Sequence, residues 1–495
     1  MILHGQNPRQ QVFMYPSAQL GIMPFIRYKK IGQKEYAYQI TSYWDPKTKK
    51  PKQKTQYLGQ VINKEKQTYQ KKQQQKEKLI LDFGDTYLLN TFIQTHYQQL
   101  LTNTFQDKTP TLTTLITYRL CQTNAMTHAN TWHQGNAIHL QHKHVNLISQ
   151  RISEFLTEIG DEHLHQTFFK QYLPNNTQQQ QQNVTSTIID ITSLPTQIHI
   201  PLTNWGRSGE EIDKQIRFLL AVNKETALPL YFRILPGNIV DVSTLCNTTE
   251  ELKQYGVESF FLCMDAGFFS KANLEDLYAK GISFLTRLPA STSLYRELVE
   301  LEVKNLESPL NCVQFGKRGL FVLQKKVLLF GREVFVYVVL DPERRGRAVK
   351  RLILQTVGEG SRRVDLEYLF LRCGVMVLVS SFEISREEVV PLYYLRQRAE
   401  VLFGFARDDV GFLPLRVHRE ESLRGFLFLQ FLSLIVFAHL KKVLGTGFCV
   451  EEVLLVMRNL KCKVFDGEVI VCEPNRVQKE ICKKLDIKIP KTLKI

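Results

Sequence analysis

The sequence predicts an α/β protein, and three observations predict it. Two apolar, β-branched runs, VTSTIIDITSLPTQIHI (184–200) and VESFFLCMDAGFFSKANL (257–274), each carry one aspartate, and the second leads into a helix-like stretch. Further on, between about 311 and 379, lie three β-rich runs, GLFVLQKKVLLF, REVFVYVVL and LEYLFLRCGVMVLVSS. Ahead of both, a small basic β region is followed by a long stretch of helical pattern.

Taken in order, residues 1–23 are polar, lack the apolar core of a signal peptide, and read as an extra leader, with Met1 and Met23 both open as the start of translation. In 24–78, FIRYKKI, KEYAYQITSYW and KTQYLGQVI alternate as short strands, with turn-like DPKTKKPK between the last two. The lysines of that run are expected in a solvated turn, with phosphate contact as the second reading. The glutamine-rich EKQTYQKKQQQKEK (65–78) is expected as an exposed helix or a linker. Residues 79–174 form a helical region, clearest in LISQRISEFLTEIG (147–160), and NNTQQQQQN (175–183) is a solvated linker. An α/β core then occupies 184–290, is interrupted by a β-rich insertion at 291–384, and resumes at 385–445. Within it FLFLQFLSLIVFAHL (426–440) is shorter than the roughly 20 residues of a membrane span and carries Gln430, so a buried helix is expected and no membrane contact. A C-terminal tail, 446–495, reads as helix, hairpin, helix.

The 495 residues carry a net charge of +16, which suits a polyanionic partner, DNA foremost. Nine cysteines are scattered with no C-x-x-C pair, so neither a zinc ribbon nor a disulfide framework is indicated, and a reducing cytoplasm fits. His133, His139, His142 and His144 have no cysteine or acid at zinc-finger spacing and are expected on a polar surface.

The most informative run is PLYYLRQRAEVLFGFARDD (391–409). Tyr393, Arg396, Glu400 and Arg407 follow one another at steps of three, four and seven, which return to one face of a helix. One ridge would carry an aromatic hydroxyl, a guanidinium, a carboxylate and a second guanidinium. Alone this is a common surface ion-pair pattern, worth little. Alone, too, Asp190 and Asp265 each read equally well as a turn or helix cap. Three acids in this order, the third on a helix, point to a site.

Here the chain resembles the DDE transposases of prokaryotic insertion sequences, in the class marked by a Tyr-Arg-Glu-Lys signature. Tyr393, Arg396 and Glu400 match, and Arg407 stands where the family has lysine. The family's Asp-x-Thr-Ser is met by Asp190, Thr192 and Ser193; its Gly-x-Ser by Trp205-Gly206-Arg207-Ser208; its Pro-Leu by Pro229-Leu230. Its Pro-Gly-Asn-x-x-Asp is met by Pro236-Gly237-Asn238 with Asp241, and its Asp-x-Gly by Asp265-Ala266-Gly267. The likeness also reaches residues 36–61 and the tail.

The resemblance implies an RNase H-like catalytic core interrupted by the β insertion, and 79–174 as a DNA-binding region. It implies two Mg2+ ions, with Mn2+ able to substitute, held by Asp190, Asp265 and Glu400 as catalytic and metal-binding residues. Arg396 and Arg407 would pair with phosphates, Tyr393 would donate to a phosphate or stack on a displaced base, with Tyr394 competing, and Arg207, Ser208 and Trp205 would face DNA. For Tyr393 a partly buried helix position, and for Trp205 core packing, are the competing readings. The implied partners are terminal inverted repeats and target DNA, with a homodimer in the synaptic complex, in a prokaryotic, nucleoid-associated cytoplasmic setting. Two alternatives stay open: a metal-dependent nuclease without strand transfer, and an inactive DNA-binding relative.

Overall fold

The computed structural model describes residues 24–70, 79–122, 124–177, 187–208, 211–238, 242–255, 257, 261–356, 363–396, 402–404, 413, 415–465 and 467–493. The chain divides into two compact units, Met1–Glu77 and Lys78–Ile495.

The first unit is an antiparallel sheet, β1 (Phe25–Ile31), β2 (Lys34–Asp45), β3 (Lys50–Asn63) and β4 (Thr68–Gln70), in that order. Its buried centre is small, chiefly Ala37 and Ile40, and tilted tyrosine pairs, Tyr36–Tyr57 and Tyr38–Tyr57, cover part of one face. Two expectations change here. Thr68–Gln70 is a strand, not helix or linker, because Val61 and Tyr69 pair across the hairpin. The turn between β2 and β3 is shorter than DPKTKKPK, since backbone pairing runs to Asp45↔Lys50. Residues 71–78, like 1–23, lie outside the described residues.

The second unit opens with β5 (Leu79–Asp82), which the helical pattern of this region hid. It is followed by helices Gly84–Phe105, Thr109–Cys121, Ser149–Ile159 and Glu162–Thr177. The last of these runs into the segment read as linker; the rest of that linker, 178–183, is outside the described residues. Next come β6 (Thr187–Pro195), β7 (Asn204–Ser208), β8 (Glu211–Asn223) and β9 (Pro229–Pro236), all antiparallel about β8. A six-stranded sheet holds β10 (Phe261–Met264), β11 (Ser283–Arg287), β12 (Cys312–Phe315), β13 (Arg318–Leu329), β14 (Arg332–Leu340) and β15 (Val375–Ser380). Its order is β10-β11-β15-β14-β13-β12, with only β10 and β11 parallel, and β6 lies alongside β10. Of the run LEYLFLRCGVMVLVSS only the end is strand; Arg363–Leu371 is helix, its aromatic and leucine content suiting either period. The C-terminal segment, Val450–Arg458, β16 (Lys461–Phe465), β17 (Glu468–Val471) and Arg476–Lys484, pairs β16 with β5 and β17 with β18 (Thr492–Leu493).

Strand parity sorts the central side chains into two cores. On β14 and β15, Val336, Val338, Val377 and Val379 enter the large core, while Tyr337, Val339, Met376 and Leu378 enter a second. That second core also takes Ile188 from β6, Phe261 and Cys263 from β10, and Leu285 from β11. Helix Arg386–Tyr394 roofs it with Val389, Val390, Leu392 and Tyr393.

The large core is organised by helix Glu420–Leu444, longer than the apolar run suggested; its length would allow a membrane span, but nearly all of its apolar window is buried against this chain. Phe428 meets Phe105, Phe168 and Phe232, and Phe431 meets Phe169 and Phe232. It reaches Ser149–Ile159 through a glycine contact. A Cβ on Gly425 would overlap the Leu156 carbonyl, and one on Gly160 the Glu421 carbonyl. Thr157 and Ser422 hydroxyls bond at 2.7 Å beside it, and Arg424 Nε donates to Gly160 O at 3.1 Å.

Gly425→Ala should destabilise the protein by about 1–3 kcal/mol, because backbone atoms cannot rotate away and the overlap outweighs the helix-propensity gain. Gly346→Ala, with open space at its Cβ on an exposed helix face, should instead stabilise by about 0.5–1 kcal/mol. Urea unfolding of both variants checks the opposite signs.

A second expectation concerns acid. Burial, aided by nearby positive groups, pulls His133, His165 and His439 down to about 4 from an ordinary 6.5. The unfolded chain then binds more protons than the folded one between those values, so stability is full above about pH 6.5 and falls as pH drops toward about 4. The urea midpoint should fall from about pH 7 to about pH 5, less steeply in His439→Phe; equal slopes would refute the assignment.

Candidate functional site

β6 is a central strand, with β8 bonded along one edge and β10 alongside the other, so both its edges are flanked. Asp190, opposite Leu220 in that ladder, is only 9 % exposed. Its parity with Ile188 puts it on the face roofed by helix Arg386–Tyr394. Asp265 follows the last residue of β10 and shares parity with Cys263, hence the same face. It precedes the short 3-10 turn Ala266–Phe268 but makes no side-chain cap bond, and its carboxylate is half exposed. Its carbonyl accepts from Thr286 Oγ1 at 3.3 Å, tying the end of β10 to β11. Asp190 therefore lies in mid-strand, and Asp265, although at the N-cap position of that turn, does not use its carboxylate as the cap.

The two carboxylates converge on one cation. Arg396 Nη1 lies 3.8 Å from Asp190 Oδ1 and 3.7 Å from Asp265 Oδ2, and the arginine side chain is 17 % exposed. A buried carboxylate needs such a counter-charge. The convergence is also the test of fit for a metal: two oxygen-donor groups from neighbouring strands face one point that already favours positive charge, as a hard divalent cation requires. Among the described residues no cluster of three His, Cys, Asp or Glu side chains is present. Glu400 and Arg407 lie outside the described residues.

Of the expected ridge only Tyr393 and Arg396 lie among the described residues. The helix begins at Arg386, where the Ser385 hydroxyl accepts from Glu388 N at 3.2 Å, and runs through Pro391 to Tyr394. Leu395 is a turn residue, and Arg396 and 402–404 are helical again. Tyr393 is 6 % exposed, its carbonyl accepting from the Cys263 thiol at 3.6 Å. Burial pushes its hydroxyl up to about 12, with Arg396 opposing, so it stays protonated. Packed in this way, the Tyr393 ring offers little face for a base; the partly buried reading describes its position. Tyr394 stacks on Phe315 at 5.2 Å and 18°, with the Arg344 guanidinium 5.6 Å from its ring.

Asp265, Arg287, Arg344, Met376, Tyr393, Tyr394 and Arg396 line a cleft of about 280 Å³. Arg287, Arg344, Met376 and Tyr394 also line a neighbouring hollow of about 210 Å³ that reaches Arg318 and Asp341. Asp341 is the anchor there, accepting from Arg318 Nη1 at 2.9 Å and from Arg344 N at 3.0 Å. Arg287 and Arg344 were not anticipated. Arg287 had a signal, ending the strand parallel to the one that Asp265 follows; Arg344 had none, since its helix lies far away in sequence.

The remaining expected residues lie elsewhere. Trp205 pairs opposite Lys214 on β8, about 20 Å along that strand from Asp190's partner Leu220. Its ring is 62 % exposed, with Lys214 Nζ 5.8 Å from its centroid, so core packing is not its role. Of Arg207 and Ser208 only the backbone, in β7, is described. Asp241 is outside the described residues. The Gly206 and Gly237 segments meet each other at Gln215, whose Nε2 donates to Gly237 O at 3.2 Å; a Cβ on Gly206 would overlap this contact, and one on Gly237 the Gln215 and Asn204 carbonyl oxygens. His133 is buried, contrary to expectation, with its ring edge-on to His139 at 4.9 Å, because β5 and the helices close over it.

A family model described as "Transposase DDE domain" matches residues 185–436, half of the chain. No curated protein matches. One similar solved structure is the cryo-EM piggyBac transposase synaptic complex with hairpin DNA, at 10 % identity and a TM-score of 0.36. The match covers 63 % of this chain and 58 % of that one, less than two thirds of its length.

Arg396→Gln should lower unfolding stability by about 1–3 kcal/mol, since it leaves Asp190 buried without this counter-charge. The double variant Asp190→Asn/Arg396→Gln should recover part of that loss. Strict additivity in a urea double-mutant cycle would show that the pair is not coupled.

Proposed function

The chain belongs to the transposase DDE domain family, and from that premise we propose that it binds the terminal inverted repeats of an insertion sequence, cuts the ends and joins the 3′-hydroxyls to target DNA. The observation that carries the reading is the convergence of Asp190 and Asp265, from adjacent strands, on one cationic point.

The antiparallel trio β9-β8-β6, with β10 beside β6 and β11 parallel to β10, supports an RNase H-like core built from 184–290 and 385–445. Strands β12–β15 would be the insertion, 291–384, extending that core's sheet rather than forming a separate body. Residues 24–78 and 79–174 would be the basic β region and the helical DNA-binding region, and 446–495 the tail.

Asp190, Asp265 and Glu400 would hold Mg2+, or Mn2+ in its place, all through oxygen donors. When bound, the ions supply an activated nucleophilic oxygen and a stabilised leaving oxygen for phosphodiester cleavage. Arg396, now the counter-charge of both aspartates, would turn a nitrogen to the phosphate being cut, in the forked geometry that guanidinium allows. Arg407 would act likewise on the end, and Tyr393, protonated and fixed by its burial, would donate rather than stack. Arg287 and Arg344 add positive charge to the cleft wall where a strand would leave the site. Trp205, Arg207 and Ser208 would contact DNA away from the acids. Two element ends must be brought together, so a homodimer would form on DNA, in the nucleoid of a prokaryotic cell.

The test is a cleavage-and-joining assay with the repeats that flank the gene and Mg2+, run beside Asp190→Ala and Glu400→Ala. Cuts at the repeat ends and joined products, both lost in the two variants, are expected. Cutting without joining would favour a nuclease; end binding with no cutting in Mg2+ or Mn2+ would leave a DNA-binding relative.

A further inference from the structure

Strands β2 and β3 run past the rest of their sheet. β1 pairs with β2 only as far as Ile40, and β4 pairs with β3 only over 60–63. Residues 41–45 opposite 50–54 therefore form a two-stranded ribbon with no third strand among the described residues. Asp45 holds the tip together. It accepts from Lys47 N at 3.0 Å and Thr48 Oγ1 at 2.7 Å, and pairs with Lys52 Nζ at 2.5 Å. These contacts hold its carboxyl below the usual range, the Lys52 bond foremost, so it stays ionised.

That one acid stands against five lysines, Lys47, Lys49, Lys50, Lys52 and Lys54, all exposed. Strand parity puts Lys50, Lys52 and Lys54 on one face with Tyr43, and Trp44, 61 % exposed, on the other with Pro51. A solvated turn would scatter these charges; the ladder lines three of them up.

We propose that this ribbon enters the major groove of duplex DNA and anchors the chain there through phosphate contacts. The major groove, about 12 Å wide, admits a two-stranded ribbon, and the lysine row supplies the complementary charge. The inference rests on the preceding reading only in taking DNA as the polyanion. It requires nothing of the acids.

The experiment is fluorescence anisotropy with the full-length protein and a short labelled duplex of arbitrary sequence, titrated at several salt concentrations. Lys50→Ala/Lys54→Ala should weaken binding about tenfold or more and flatten the slope of log K against log salt by about 2, near 0.9 per lost phosphate contact. The control Lys253→Ala/Lys488→Ala, two exposed lysines of the other unit, should bind as the wild type does. A thermal unfolding transition unchanged in the ribbon variant separates lost contact from lost fold. An unchanged slope overturns the proposal. So does a loss no larger than in the control, or a wild-type preference for single-stranded DNA or RNA that the ribbon variant alone loses. Failure of cleavage with the ribbon effect intact would count against the transposase reading and not against the ribbon.

Discussion

A carboxylate nine-tenths buried in the middle of a sheet is the constraint from which much of this molecule follows. Asp190 sits where both neighbouring strands and an overlying helix exclude water, so it needs positive charge held close. Arg396 supplies it, and can do so only because helix Arg386–Tyr394 is fixed over the same face by the second core. The apolar residues of that core, drawn from β6, β10, β11, β14 and β15, thus set the position of a polar group. The same guanidinium reaches Asp265, which β10 brings alongside β6, so two acids far apart in sequence share one counter-charge.

Behind this face the large core works by close approach. Helix Glu420–Leu444 is apolar on every side because it is surrounded, touching the helical region on one flank and β9 on another. Gly160 and Gly425 let two backbones meet without side chains between them, and the aromatic cluster about Phe428 fills the remaining space. The helical region is thereby joined to the sheet that carries Asp190.

Electrostatics divides between two kinds of place. In the cleft, arginines stand beside aromatic rings and a few buried acids, Asp341 among them, that fix their directions. On the β2–β3 ribbon, lysines stand in water with only Asp45 to restrain them. Fixed guanidinium groups suit recognition of an oxygen at one position, whereas mobile ammonium groups suit a delocalised polyanion.

Local pattern was enough for a good deal of this. Alternation in 25–63 marked the basic sheet, the β-branched runs around Asp190 and Asp265 marked strands, and the order of short motifs pointed to the family. Where two states share a pattern, local sequence failed: LEYLFL reads as strand and is helix, packed on neighbouring helices, and the lysine run after Asp45 reads as turn throughout but is strand from Lys50 on, where cross-strand bonding decides it. The burial of His133, the exposure of Trp205 and the entry of Arg287 and Arg344 into the cleft were likewise illegible, each depending on segments distant in the chain. By itself, then, the sequence determined which acids, arginines and aromatic residues were available to build a site. Only the tertiary structure decided which of them share a face, because strand order and helix docking are long-range packing outcomes that no local period encodes.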